Sequence, residues 1–383
     1  MSQTTAFKSV KLGILGGGQL GKMLLQKAAD YDLETSVLDP DPLAPCRNLC
    51  DHFEQGSFKD YDAVYNFGKK QDVLTIEIEH VNIQALEDLE KEGTKVRPEP
   101  AVIKLIQDKG SQKIFFRANK IPTAEFHLVD NADQIRENTS FFPCMQKLRK
   151  GGYDGRGVKR IMNSADSQSA FDEPSVIERM IDFKSELSVI VARDSRGNTR
   201  TFPSVQMHFD PNANLVDYLF SPAETEQNIE EEATVIAVNL ANALKITGVL
   251  AVEMFLTRSG ELLVNEIAPR PHNSGHHTIE ANYSSQYDQH LRAILDLPLG
   301  SCALRQHAFM LNILGDPQTA GPAVYEGVHE TLSMEGVYIH LYGKKESRPN
   351  RKMGHVTVLA SSAEEAKKKM EQVRRFLKVR TRS

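Results

Sequence analysis

The chain has 383 residues, which at roughly 150 residues per domain corresponds to two or three domains. Apolar residues make up 40% and charged residues 25%, a balance that supports several folded cores and excludes disorder along the whole length. With 46 basic and 51 acidic residues the formal net charge is −5, so no general attraction to nucleic acid follows. No apolar stretch approaches the roughly 20 residues of a membrane span.

The first elements are legible in order. Residues 10–15 read as a buried strand, Gly16-Gly17-Gly18 as a turn, and residues 19–31 as a helix with an apolar stripe of Leu20, Leu24, Leu25 and Ala28. A second strand at 35–38 ends at Asp39-Pro40-Asp41-Pro42. Segments 64–67 and 73–78, with a helix near 85–92, continue an alternating α/β pattern, and Pro98 and Pro100 mark the exit of this unit. One helical connector is expected over 101–119. A strand-rich unit is expected from 124 to about 191, with a glycine-rich loop between strands at 142–147 and 158–161. A helix over about 226–244 precedes a hairpin, whose strands at 249–256 and 261–267 flank Thr257-Arg258-Ser259-Gly260. The tail reads as a strand at 337–342, a basic loop, a strand at 354–359 and a helix at 363–376 capped by Ser361 or Ser362. Cys46, Cys50, Cys144 and Cys302 form no staple-like framework. Cys46, Cys50 and His52 raise a metal question, against which stands the reading as ordinary buried thiols. The opening segment shows no long apolar leader, so a cytoplasmic location is expected.

Two glycine loops carry different messages. Gly16-Gly17-Gly18-Gln19-Leu20-Gly21 fits G-x-G-x-x-G between a strand and a helix, and Asp39 stands where an acid binds ribose hydroxyls in dinucleotide sites. The same turn also serves another small anion, or structure alone. The second loop, Gly151-Gly152-Tyr153-Asp154-Gly155-Arg156-Gly157, follows Lys147. A strand lysine beside glycine amides suits nucleotide phosphates, and a solvated basic hairpin is the alternative. The strongest geometric signal lies later. The midpoint between Glu253 and Glu266 falls between Ser259 and Gly260, so antiparallel pairing sets the two carboxylates side by side on one face. Their repulsion is relieved by a divalent cation, and oxygen ligands on strands suit Mg²⁺. Apolar flanks on both strands weigh against an exposed hairpin with no ion.

These segments resemble the ATP-grasp superfamily, and within it the 5-(carboxyamino)imidazole ribonucleotide synthases. Also carrying the resemblance are Glu77-Ile78-Glu79-His80-Val81, Asn265-Glu266-Ile267-Ala268-Pro269-Arg270-Pro271-His272-Asn273, and Arg348-Pro349-Asn350-Arg351-Lys352-Met353-Gly354-His355. The resemblance implies an α/β and α+β multidomain chain. It would have a Rossmann-like parallel-sheet substrate domain over 1–100, a connector over 101–123 and a small ATP-grasp lid over 124–191. A central Mg-ATP domain would cover 192–300 and a β-rich C-terminal region 301–383. It implies a homodimer using ATP, Mg²⁺ (or Mn²⁺), bicarbonate and 5-aminoimidazole ribonucleotide, with no nucleic acid or membrane partner. In that picture Lys104 and Lys147 contact ATP phosphates, under a loop contributing Gly152, Asp154, Gly155 and Gly157. Glu178, Arg179 and Met180 form the adenine edge, Glu186 holds the ribose, Asn265 lines the nucleotide site, and Glu253 and Glu266 bind the metal. Gln19, Glu77 and Glu79 shape the ribonucleotide pocket, and Lys345, Arg348, Arg351 and Lys352 take its phosphate. Tyr153, Arg156, Arg270, His272 and Asn273 surround the reacting bicarbonate. The first glycine loop would then bind no dinucleotide.

Overall fold

A computed structural model describes residues 9–152, 157–210 and 215–382. The N-terminal unit is a five-stranded parallel sheet in the order His52–Gln55, Glu34–Asp39, Lys11–Leu15, Val73–Ile76, Lys95–Val96. Its central strands, Lys11–Leu15 and Val73–Ile76, are largely apolar because helices cover both faces. On one face, Leu20, Met23 and Leu24 of the helix Gln19–Ala28 pack with Tyr287, Leu291 and Ile294 of the helix Gln286–Ile294. Segment 64–67 lies inside a helix, Tyr61–Gly68, because Asp60 accepts from Ala63 N–H as an N-cap and Val64, Phe67 and Gly68 share the buried face. The edge strand His52–Gln55 has no apolar run to announce it.

The connector is two helices, Pro100–Ile106 and Lys109–Ala118, broken where Asp108 turns to cap the second. A small antiparallel sheet follows, in the order Phe126–Val129, Ser175–Arg179, Cys144–Leu148, Val158–Ile161. The strand Phe183–Arg193, expected to belong with it, instead pairs along its length with Gly248–Thr257 and lies in the large nine-stranded sheet. That sheet is backed by the helix Gln227–Leu244, whose Ala233, Ile236, Ala237 and Leu240 pack with Leu187, Val189, Leu250 and Val252. The C-terminal strands His307–Leu314, Lys352–Ala360 and Val337–Leu341 continue the same sheet. Ser362 caps the last helix, Ala363–Phe376. No helix among the described residues is long and apolar enough to cross a membrane.

The first turn is closed from within. Glu77, at the end of the strand Val73–Ile76, reaches across to the first helix. One carboxylate oxygen accepts from Gly18 N–H at 3.0 Å, and the other accepts from Leu20 N–H at 3.2 Å and Gly21 N–H at 3.1 Å. Asp39 accepts from Gly17 N–H at 2.6 Å and Asp41 N–H at 2.8 Å. The glycines make room for this: a Cβ on Gly18 would lie 2.6 Å from a Glu77 oxygen, and Gly16 has φ +97° with Glu77 Cγ 2.6 Å from its Cβ position. The helix N-terminus thus has its anion already, supplied by the chain. Substituting Glu77→Ala strips three amides of their acceptor and is expected to lower the unfolding free energy by about 2–4 kcal/mol in urea titrations. An unchanged midpoint would contradict this role.

Candidate active site

The hairpin brings Glu253 and Glu266 together, by a route the turn alone does not give. Thr257 N–H donates to Glu261 O at 2.9 Å, so the loop is the three residues Arg258-Ser259-Gly260, with Gly260 at φ +89°. The pairs nearest the turn, Leu256↔Leu262 to Met254↔Val264, are therefore centred on Ser259. The register then shifts by one residue at Asn265, and Glu253 pairs with Glu266. That bulge re-aims side chains, as bulges beside functional sites do. Asn265 Oδ1 accepts from Lys147 Nζ at 2.8 Å, while its neighbour Glu266 meets Lys109 Nζ at 2.6 Å. Glu253 faces His272 Nε2 at 3.4 Å.

Three lysines converge here from two elements. Lys109 and Lys113 are one turn apart on the helix Lys109–Ala118, so they share a face. Lys113 Nζ lies 3.1 Å from one oxygen of Glu178, and Lys147 Nζ lies 3.2 Å from the other. Lys113 and Glu178 are both buried, and charges so placed persist only in pairs. Burial pushes the Lys113 ammonium down to about 8, with Glu178 opposing. Burial alone would raise Glu178, but Lys147 and Lys113 outweigh it and hold the carboxyl below its ordinary value. At the hairpin the two carboxyls diverge. Lys109 holds Glu266 low, whereas burial and then the like charges of Glu266 and Glu186 push Glu253 up to about 8. Glu186, on the strand Phe183–Arg193, is raised to about 7 by burial, with Lys147 opposing and Glu266 adding to the rise.

The polypeptide after the hairpin supplies the far wall. Arg270 Nε meets Glu79 at 2.8 Å. His272 Nδ1 lies 2.9 Å from Ser274 Oγ, and the His272 backbone N–H donates to Gln286 Oε1 at 2.8 Å. Asn273 exchanges amide hydrogen bonds with Asn312 at 2.9 and 3.1 Å. The positive charge of Lys352 is felt at Glu253. The basic loop folds back over the first helix: Lys22 Nζ donates to Leu341 O at 2.8 Å, and Lys344 Nζ to Lys352 O at 2.7 Å. Arg351 Nη1 donates to Glu346 O at 2.7 Å, and burial and then Arg348 push the guanidinium below its ordinary value. Lys345 and Arg348 are exposed, and Gln19 opens the first helix half-buried.

The structure thus joins Lys147, Glu178, Glu186, Glu253, Asn265, Glu266 and His272 in one cluster, with Arg270 paired to Glu79. It does not bring Lys104 there: that side chain is 64% exposed and bonds Glu87 at 2.9 Å. Lys109 and Lys113 stand beside the cluster instead. Both were hidden because lysines on an amphipathic helix read as surface, although Asp108 as a cap fixes which face they share. Both carboxylate oxygens of Glu77 accept from amides of the first turn. With Gly18, Leu20 and Gly21 amides engaged, the dinucleotide reading of that loop loses its phosphate donors. Glu178 grips lysines with its side chain. The Arg179 and Met180 N–H groups donate to Glu125 O at 2.9 Å and Pro143 O at 3.3 Å, and the Arg179 guanidinium sits 4.4 Å from the Phe141 ring centre. Gly152 and Gly157 bracket the second loop, with Gly157 at φ +72°. Tyr153, Asp154, Gly155 and Arg156 lie outside the described residues. Cys46 is buried, its thiol pushed up by burial and its Sγ 3.5 Å from Gly18 O, the environment of an ordinary buried thiol.

The raised Glu253 carboxyl predicts a pH effect on stability. The folded chain keeps a proton that the unfolded chain releases near 4.5, so this group makes stability fall as pH rises from about 4.5 to about 8. Metal-free Glu253→Gln is expected to be more stable than the wild type at pH 8, with the gap closing near pH 4.5. Equal urea midpoints at both pH values would contradict it.

Comparison with known proteins follows the same divisions. Residues 9–107 match the ribonucleotide synthetase preATP-grasp domain, 114–287 the ATP-grasp domain and 308–369 the phosphoribosylaminoimidazole carboxylase C-terminal domain. The chain spans 64–65% of the length of the plant and yeast phosphoribosylaminoimidazole carboxylases it matches. The Vigna aconitifolia protein among them is 38% identical over 92% of this chain. The N5-carboxyaminoimidazole ribonucleotide synthetase of Thermotoga maritima is 41% identical, with TM-score 0.91 over 97% of this chain and 100% of that one. The Aspergillus clavatus N5-carboxyaminoimidazole synthase, solved with ADP and 5-aminoimidazole ribonucleotide, is 35% identical, with TM-score 0.87 over 96% and 98% of the two chains. Matched from end to end at this identity, the chain belongs to the N5-carboxyaminoimidazole ribonucleotide synthase family of ATP-grasp proteins.

Proposed function

We propose that this chain is an ATP-dependent carbon–nitrogen ligase. It joins bicarbonate to the amine of 5-aminoimidazole ribonucleotide, giving N5-carboxyaminoimidazole ribonucleotide, ADP and phosphate. The observation that carries the reading is the facing of Glu253 and Glu266 beside Lys109, Lys113 and Lys147. Two carboxylates at one spot suit a divalent cation, and ammonium groups beside them suit phosphates. The donor set fits Mg²⁺, or Mn²⁺, held by Glu253 and Glu266, which would neutralise phosphate charge during transfer.

The chain's own groups then have ordered tasks. Lys109 and Lys147 hold the ATP phosphates, and Glu178 fixes Lys113 and Lys147 in place. Glu186 takes the ribose. Arg270, oriented by Glu79, holds bicarbonate, with His272 and Asn273 beside it. Bicarbonate alone is a poor electrophile. One of its oxygens attacks the γ-phosphorus of ATP, the bond to ADP breaks, and carboxyphosphate forms. The amine attacks the carboxyl carbon, the carbon–oxygen bond to phosphate breaks, and the departing phosphate takes the amine proton. Arg351 and its basic neighbours take the ribonucleotide phosphate by charge-assisted bonds.

Bicarbonate labelled with ¹⁸O tests this sequence. ADP release should depend on the ribonucleotide, and each phosphate formed with product should carry one ¹⁸O from bicarbonate. ADP release indifferent to the ribonucleotide, or phosphate without label, would overturn it. Arg351→Ala should raise the KM for ribonucleotide about tenfold and leave the KM for ATP unchanged. Equal rises in both would remove the assignment.

A further inference from the structure

Asp108 does more than cap a helix. Its Oδ1 accepts from Ser111 N–H at 3.0 Å, which is the cap. The same carboxylate takes the Arg149 guanidinium side-on, Nε to Oδ1 at 2.9 Å and Nη2 to Oδ2 at 2.7 Å. Lys109 N–H adds a third bond, to Arg149 O at 2.9 Å. Arg149 directly follows the strand Cys144–Leu148, which carries Lys147. The helix bearing Lys109 and Lys113 is therefore bolted to the strand bearing Lys147.

Gly110 is the second, independent observation. It lies in the helix Lys109–Ala118, where alanine is ordinarily preferred to glycine. A Cβ there would lie 2.7 Å from Arg149 Nε, 3.1 Å from Arg149 Cζ and 3.1 Å from Asp108 Oδ1. Its three nearest neighbours all belong to the bolt. The missing side chain is what lets the guanidinium lie flat against the helix.

We infer that Asp108, Arg149 and Gly110 form a positioning clasp that sets the spacing of the Lys109, Lys113 and Lys147 ammonium groups for nucleotide phosphates. The inference rests on the ATP reading proposed above. None of the three clasp residues needs to touch the nucleotide. Phe116 of the helix packs into the large-sheet core and Lys147 stands on the small sheet, so the clasp acts with the Glu178 bridge to fix the distance between the charges. Point charges stabilise a phosphoryl transfer only where they are already in place.

The test is Gly110→Ala, whose Cβ meets side-chain atoms of Arg149 and Asp108 and not backbone. The gain in helix propensity offsets the lost surface ion pair, so the melting temperature should stay near that of the wild type. The clasp predicts that the KM for ATP rises about tenfold while the KM for ribonucleotide stays put. Asp108→Asn keeps a good helix cap but removes the charge that holds Arg149, and it should show the same defect confined to ATP. Calorimetry of Mg-ATP binding to the wild-type chain separates the two layers. No binding by the wild type would overturn the nucleotide reading and the clasp with it. Wild-type binding with an unchanged KM for ATP in both variants would overturn the clasp alone. A lowered melting temperature with equal rises in both KM values would reduce it to ordinary structure.

Discussion

Two carboxylates forced side by side on neighbouring strands organise this molecule. Glu253 and Glu266 are Cα partners, and their acidities move apart: burial and then the charge of Glu266 raise Glu253, while Lys109 lowers Glu266. A pair of that kind persists in a packed cleft only if the surroundings answer it. Lys109 answers Glu266 directly, and His272 stands against Glu253. Farther out, Glu178 holds two more lysines whose charges would otherwise repel one another. The result is an alternating set of charges with the hairpin at its centre. Such a set costs stability while it waits for a ligand, and functional sites commonly carry that cost.

The N-terminal turn obeys the same electrostatics with the opposite outcome. Backbone amides at a helix start attract an anion, and in many nucleotide-binding folds that anion is a phosphate. Here the anion is Glu77, delivered by an adjacent strand of the same sheet. The glycine pattern is thus explained by a carboxylate that lies too close to admit a Cβ. One spacing of glycines fits both arrangements, so the motif by itself does not separate them.

Much of the fold was legible, since strand and helix periods survive wherever one face is buried. The parallel sheet, the hairpin, the helix behind it and the capped final helix were readable from apolar spacing and turn residues. The site was legible in part. The Glu253–Glu266 pairing followed from symmetry about Ser259-Gly260, yet the pairs nearest the turn are centred on Ser259 and the bulge at Asn265 restores the match. A bulge leaves no signature in composition. Lys104 came from the family resemblance alone, and one continuous helix was read across Asp108, so Lys109 and Lys113 were not singled out. Breaking the helix there turns Lys109 and Lys113 inward and leaves Lys104 outside with Glu87. The strand Phe183–Arg193 was assigned to the wrong sheet because strand partners are long-range choices that local sequence does not encode.

The account stands or falls on whether the facing carboxylates hold a divalent cation together with nucleotide. The direct measurement is the electron paramagnetic resonance signal of free Mn²⁺ titrated with the chain and ADP. It would compare the wild type with Glu253→Gln and Glu266→Gln, each checked for an intact fold by circular dichroism. The account predicts that the wild type removes one Mn²⁺ per chain from solution in the presence of ADP and that each variant removes far less. Equal Mn²⁺ uptake by all three proteins would contradict it.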